Sequence, residues 1–223
     1  MVKGQPQLNL PPPKFIPDVE LERHALDLLD EHEAKWQKRI SLPVPIEAII
    51  ERTLGLRLIW LPIEEDVNEL ILARIVPDFL DFPTIQLNEN RTDHFHRYFG
   101  TEQFSLAHEV AHWILHFERG ANCQIKSFAN SDDHSCISEH FNESPHSSRR
   151  EIQANRFAAY LLLPKHLLRP YILSNDLSME GSVAALGRRC GVSKRAMEIR
   201  LEQLGFIHLE PHSFHQDQAD LNG

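Results

Sequence analysis

Two histidines four residues apart, with a glutamate directly after the first, are the residues of this chain best suited to metal-dependent chemistry. They are His108, Glu109 and His112 in the stretch FSLAHEVAHWILH, whose apolar positions recur at intervals of three and four and predict an amphipathic helix, with Ser105 as its cap. On a helix the two imidazoles project from one face, so both can bind one ion at about 2.0–2.1 Å. Glu109 projects about 100° away, where it can hold a water molecule. The pattern predicts a hydrolytic zinc site.

A third ligand must come from another segment, because catalytic zinc normally takes three protein ligands. The stretch REIQANRFAAYLLLP predicts a second helix, with Glu151 and Asn155 four residues apart on one face. We predict that Glu151 is the third ligand to a single zinc ion and that Asn155 orients one histidine through its other ring nitrogen. His116 lies roughly 12 Å along the axis from His108, so we expect it outside the site, at the helix end, favoured there by the helix dipole.

Each of these residues also has a purely structural interpretation. The two histidines could be partly buried without a metal, and Glu151 could be a first-turn glutamate favoured by the helix dipole. Asn155 could face solvent or a neighbouring carbonyl. The combination of both helices favours the metal site for the two histidines and Glu151, and leaves both interpretations of Asn155 open.

The stretches AHEVAHWILH and EIQANRFAAYLLLP, the second of which has the pattern ExxANxFAAxLLxP, together resemble the ImmA/IrrE family of small cytoplasmic zinc metallopeptidases. Upstream, IEAIIERTLGLRLIW is similar to the entry segment of that family. Downstream, SVAALGRRCGVSKRAMEIRLEQLGFI is similar to its helix-turn-helix-like segment, so the resemblance covers most of residues 20–207. It implies a gluzincin-like peptidase that cleaves a helix-turn-helix transcriptional repressor on a stress or mobilisation signal.

Short β-prone runs precede the first metal-binding helix and predict three strands, at 56–61, 70–76 and 84–87. We therefore predict an α+β fold, a small zincin-like domain with a three-stranded sheet beside the HExxH helix, followed by a helix-turn-helix-like unit. A substrate peptide is expected to extend along an edge strand. The predicted organisation is a proline-rich extended arm, the metallopeptidase domain, the helix-turn-helix-like unit and a disordered tail, at residues 1–17, 18–165, 166–207 and 208–223.

The expected reaction is hydrolysis of a peptide bond. Zinc lowers the pKa of a bound water toward about 7, and Glu109 is placed to accept the proton and pass it to the leaving amine. A further group should stabilise the oxyanion. The sequence leaves four candidates for it, namely His94, Arg97, Tyr98 and His146.

Composition limits the other functions. The formal net charge of −9 disfavours broad binding to a nucleic-acid backbone, and no apolar run is long enough for a membrane span or a signal peptide. Three cysteines without a CxxC pair favour the cytoplasm over secretion. Between the two metal-binding helices, the irregular spacing of several cysteines and histidines favours a mobile loop over a second metal site. These residues are Cys123, His134, Cys136 and His140.

The segment SVAALGRRCGVSKRAMEIRLEQLG predicts two short helices joined at Gly191, the second capped by Ser193. It is locally basic, but we favour docking of its apolar side on the peptidase domain over contact with DNA. A second hypothesis for the whole protein is a metal-containing regulatory or toxin–antitoxin component that binds a protein partner or DNA without proteolysis.

Overall fold

The computed structural model describes residues 15–65, 70–79, 82–117, 125–128 and 145–208. Within these ranges the chain forms helices around one small sheet. The elements are α1 (Asp18–Trp36), α2 (Ile46–Ala48) continuing as a π-helical turn (Ile49–Thr53), β1 (Arg57–Leu61), β2 (Ile71–Phe79), β3 (Phe82–Asn88), a 3-10 turn (Glu89–Arg91), α3 (Thr92–Arg97), α4 (Thr101–His116), β4 (Ile125–Phe128), α5 (Pro145–Leu162), α6 (Lys165–Leu173), α7 (Ser182–Cys190) and α8 (Lys194–Gln203).

The sheet is mixed, with the strand order β1-β3-β2-β4. Strand β1 pairs in parallel with β3, whereas β2 pairs antiparallel with both β3 and β4. Ile75 on β2 lies opposite Ile85 on β3, and both are fully buried. The predicted α+β class is confirmed, and the three predicted strands correspond to β1, β2 and β3. The short strand β4 adds a fourth that the sequence did not indicate.

Strand β3 is buried along most of its length because it is central in the sheet and covered on both faces. Two of its buried polar side chains accept hydrogen bonds there. Gln86 Oε1 accepts a hydrogen bond from Arg74 Nε at 2.7 Å, and Asn88 Oδ1 accepts one from the backbone N–H of Ile63 at 3.0 Å. These bonds fix the strand that leads toward α3 and α4.

Glu65 joins the ends of three strands. Its carboxylate accepts hydrogen bonds from the backbone N–H of Ile71 at 2.7 Å, from Asn88 Nδ2 at 3.2 Å and from the guanidinium of Arg91. Burial alone would raise the pKa of Glu65, but the bonds to Arg91 and Ile71 hold that pKa below its usual value. The carboxylate therefore acts as a charged anchor at the start of the segment that leads to α3.

Helices α4 and α5 form the centre of the core, with α4 also packed on β2 and α1 covering α5. Most of the predicted apolar positions on the two central helices are buried, but Ile114 and Leu115 on α4 are half-buried. Ile152 on α5 is 46% exposed. Small residues on each allow the backbones to approach closely, namely Ala107, Ala111, Ala154 and Ala158, all fully buried. Helix α2 begins only at Ile46, because Pro43 and Pro45 interrupt the turn before it.

The pair α7–α8 has the predicted helix-turn-helix-like form. Gly191 has a φ of 75°, and Ser193 Oγ accepts a hydrogen bond from the backbone N–H of Ala196 at 3.1 Å. The turn between the helices lies against the beginning of α4. A Cβ added at Gly100, whose φ is 82°, would lie 2.6 Å from the backbone nitrogen of Ser193. Only glycine fits this contact without movement.

Arg200 on α8 is buried and connects this helix with α1 and α5. Its Nε donates to the carbonyl oxygen of Leu163 at 3.0 Å, and a terminal nitrogen donates to Glu22 at 2.5 Å. Its guanidinium also lies 4.8 Å from the centre of the Tyr160 ring. Such a buried, partnered arginine agrees with docking of the pair on the rest of the chain.

The outward charges of α8 are largely compensated within the helix. Lys194 and Arg195 each lie 3.6 Å from the carboxylate of Glu198. A helix that reads DNA needs cations facing the phosphates, so this arrangement favours docking, and contact with DNA stays the less favoured alternative.

Several predictions fall partly or wholly beyond the described ranges. The arm is described only at residues 15–17 and the tail only at residue 208, and the four cysteines and histidines of the predicted mobile loop lie outside the described residues. The domain boundaries stay a prediction. Among the described residues, no helix combines the length and apolar character needed to cross a membrane.

Candidate metal centre

Helices α4 and α5 bring three potential metal ligands together. His108 Nε2 lies 2.9 Å from His112 Nε2, because the two rings lie one turn apart on the buried face of α4, edge to face with their centres 4.6 Å apart. Glu151, near the start of the well-packed part of α5, places one carboxylate oxygen 3.0 Å from His108 Nε2 and the other 3.3 Å from His112 Nε2. The possible ligand atoms of the three residues all lie within 4.8 Å of one another.

The spacing of these atoms fits a single small cation. Ligand atoms around a tetrahedral zinc are separated by about 3.3 Å when each lies about 2.0–2.1 Å from the metal. The observed separations of 2.9, 3.0 and 3.3 Å are close to that value. Two imidazole nitrogens that face each other also require a proton or a cation between them, since their lone pairs repel. Two nitrogens and one carboxylate form a donor set that zinc accepts.

The other ring nitrogen of His108 is fixed by Asn155. Asn155 Oδ1 lies 2.8 Å from His108 Nδ1, so this nitrogen carries the hydrogen and donates it. The Nε2 lone pair of His108 is thereby directed toward Glu151 and His112. The corresponding Nδ1 of His112 is buried and has no hydrogen-bond partner within the part of the chain that the structure describes.

The local charges oppose the cost of burial. Burial alone would lower the pKa of His108, but the hydrogen bond and charge of Glu151, together with the charge of Glu109, raise it above its usual value. Burial alone would raise the pKa of Glu151, but the two imidazoles hold it far below its usual range. Glu151 is therefore an anion at neutral pH, which is the form that binds a cation.

Glu109 is fully buried on α4, one residue beyond His108. It is close enough for its charge to raise the pKa of His108, but it is not among the three converging ligands. A buried carboxylate beside the ligand set has the position that a proton acceptor needs.

His116 is the last residue of α4 and lies beside this cluster. Its ring centre is 5.3 Å from that of His112, and its Nε2 donates to the carbonyl oxygen of Arg150 at 3.3 Å. Burial, with the nearby His112, lowers the pKa of His116 to about 3. The imidazole is therefore neutral, so the helix dipole that we expected to favour it has no full charge to act on.

The four candidates for oxyanion stabilisation stay predictions. His94 and Arg97 lie on α3 and Tyr98 directly follows it, with the rings of His94 and Tyr98 centred 4.5 Å apart. His146 falls in the first turn of α5, where side chains are outside the described part of the structure.

Sequence reasoning overlooked one residue that positions this centre. Helix α4 begins at Thr101 with Gly100 as its N-cap, five residues before the predicted cap Ser105. The available signal was a lone glycine directly before the helical pattern. Its packing against the α7–α8 turn could not be inferred, because the contact joins residues almost a hundred positions apart.

Comparison with known protein families shows which family the chain belongs to. No curated protein sequence matches the chain. The model of the family Peptidase_M78, described as the IrrE N-terminal-like domain, matches residues 53–202, which is 150 of the 223 residues. The match spans both helices of the candidate metal centre and nearly all of the α7–α8 pair. The chain therefore belongs to the Peptidase_M78 family, which confirms the resemblance to ImmA/IrrE proteins.

Proposed function

We propose that this protein is a zinc-dependent endopeptidase of the cytoplasm, a regulatory protease that cleaves a helix-turn-helix transcriptional repressor. Membership of the family supports a peptidase. The observation that carries the choice of a metal-dependent reaction is the convergence of His108, His112 and Glu151 within 4.8 Å, with Glu109 buried beside them.

The residues of the centre have separable tasks. His108, His112 and Glu151 would hold the ion, and bound zinc would supply Lewis-acid activation of a water molecule and of the scissile carbonyl. Asn155 keeps the Nε2 of His108 free of hydrogen, because its Oδ1 accepts the hydrogen bond that Nδ1–H donates. The Glu109 carboxylate is the group placed to take a proton from water and return it to the leaving amine.

The repressor as substrate is supported by the family resemblance and by charge. A chain with a formal net charge of −9 attracts basic proteins, and repressors that bind DNA carry basic surfaces. Among the described residues β1 and β4 are the outer strands of the sheet, and an extended peptide could add beside one of them as a further strand.

The test combines cleavage with metal content. The zinc-loaded protein is incubated with candidate helix-turn-helix repressors, beginning with any that is encoded beside its gene, and the products are identified by mass spectrometry. We expect one defined cut that a chelator abolishes. Glu109→Gln should retain zinc and lose the cut, because the amide cannot accept the proton.

Two results would contradict the proposal. Cleavage that persists in Glu109→Gln would exclude this carboxylate as the proton acceptor. A Glu109→Gln protein that leaves the repressor intact yet still relieves repression in cells would replace proteolysis with the non-proteolytic regulatory alternative.

A further inference from the structure

A cavity that none of the metal-centre residues lines opens at the carboxyl end of α1. It has a volume of about 310 Å³ and lies between α1, the segment after it and the π-helical turn. Its wall combines cations, one tryptophan and apolar residues, of which His32, Trp36, Lys38, Arg39 and Arg52 matter here. A volume of this size suits a small molecule.

The charge of this cavity is opposite to that of the protein. Three of its lining residues are permanently cationic and none is acidic, although the whole chain has a formal net charge of −9. Arg39 is compensated by Glu33 at 3.1 Å. Lys38 and Arg52 are exposed, and neither has an ion-pair partner among the residues that the structure describes. Two uncompensated cations at the mouth of one cavity favour an anionic occupant.

The pKa of the buried histidine in the cavity wall is affected by the same positive charges. His32 Nδ1 lies 2.6 Å from Thr53 Oγ1, and the ring is 7% exposed. Burial, with the charges of Arg52, Lys35 and Lys38, lowers the pKa of His32, and the opposing charge of Glu33 does not reverse this. Cations on both sides of the cavity therefore act on one imidazole.

Trp36 gives the cavity a flat apolar surface. Its side chain is 45% exposed, and the guanidinium of Arg52 lies 5.9 Å from the ring centre. Aromatic rings stack on such surfaces, and a guanidinium beside an indole can contact a phosphate while it stays over the ring. A charged group and a stacking surface are thus a few ångströms apart.

We propose that this cavity binds a small phosphate-bearing ligand with a planar ring, the chemical class of the nucleoside monophosphates. The phosphate contacts Lys38 and Arg52, and the ring lies on Trp36. This site is independent of the proposed peptidase activity and would exist whether or not the metal centre is catalytic.

Calorimetric titration of the full-length protein tests the proposal, with adenosine monophosphate, adenosine and inorganic phosphate as separate probes at one ionic strength. Adenosine monophosphate should bind more tightly than either fragment, because only it engages both surfaces. Lys38→Gln combined with Arg52→Gln should weaken its binding by about tenfold or more, since two charge-assisted contacts are lost. Trp36→Leu should weaken the binding of adenosine monophosphate and leave the affinity for inorganic phosphate unchanged.

Arg23→Gln is the matched control. Like Lys38 and Arg52, Arg23 is an exposed cation, but it lies on α1, pairs with Glu20 and Asp27 and does not line the cavity. Its removal should change binding by less than about twofold. If the double variant has a lower melting temperature than the unmodified protein, the test rests on Lys38→Gln alone, because Lys38 is exposed and its replacement should not disturb the fold.

Three outcomes overturn the inference. The first is equal binding of adenosine monophosphate by the double variant and the unmodified protein. The second is binding of inorganic phosphate as tight as that of adenosine monophosphate, which would show that the planar ring of the ligand contributes nothing to binding. The third is binding of a single-stranded oligonucleotide without binding of the monophosphate, which would make this face a nucleic-acid surface instead.

Discussion

The hydrogen bond from His108 to Asn155 should determine how tightly the centre binds zinc. Asn155→Ala removes the acceptor 2.8 Å from His108 Nδ1 while leaving all three ligands in place. The ring can then rotate, and the tautomer with its lone pair on Nε2 is no longer favoured. Loss of such a partner typically lowers metal affinity about 10–100-fold, which corresponds to about 1.4–2.8 kcal/mol.

Competition with a chromophoric chelator measures this affinity directly. Asn155→Asp is the informative second variant, because a carboxylate still accepts from Nδ1 and makes the imidazole a stronger donor. We expect it to bind zinc at least as tightly as the unmodified protein. Ile152→Ala serves as control, since Ile152 lies on α5 with 46% exposure and should leave the affinity unchanged.

One result would refute this reasoning. If Asn155→Ala bound zinc within about twofold of the unmodified protein while its fold and melting temperature were retained, the ring of His108 would be held by packing alone. Asn155 would then have no influence on the metal.

Three further predictions concern the stability of the fold, two of them with a matched control variant. Glu65→Gln should lower the free energy of unfolding by about 2–4 kcal/mol at pH 7. Because the pKa of Glu65 is lowered in the folded state, the stability that its carboxylate contributes is present above the ordinary pKa of 4.5 and is lost as the pH falls. Urea denaturation at several pH values should therefore show the difference between variant and wild type becoming smaller in acid. Arg200→Met should cost about 3 kcal/mol by the same measurement, whereas exposed Arg188→Met should cost less than about 0.5 kcal/mol. Gly100→Ala should lower the melting temperature more than Gly205→Ala, since both glycines have positive φ but only the first would place a Cβ 2.6 Å from another backbone; equal losses would show that the turn yields easily.

The candidate site could be inferred from sequence because its chemistry is local. His108 and His112 lie on one helix, so their spacing alone sets their relation, and Glu151 and Asn155 repeat that spacing on a second helix. Pairing the two helices needed the family pattern. The direction of Glu151 toward both imidazoles depends on how closely the helices pack, which no local pattern specifies.

The parts of the fold that escaped prediction depend on distant residues. Strand β4 is four residues long and exists through pairing with β2. The turn at Ile49–Thr53 is π-helical, since the backbone N–H of Leu54 donates to the carbonyl oxygen of Ile49, five residues earlier. Gly100 is fixed by a contact with Ser193. Such contacts are decided by tertiary packing, so single-segment propensities do not reveal them.

The close approach at Gly100 has a consequence for engineering members of this family. Residues 166–207 look like an exchangeable unit in the sequence, yet the turn before α8 packs against the start of α4, the helix that carries His108 and His112. A chimera that imports another family member's final helices would therefore shift the start of the helix that carries these candidate ligands. Successful grafts should be those that transfer the glycine and its opposing turn as one unit.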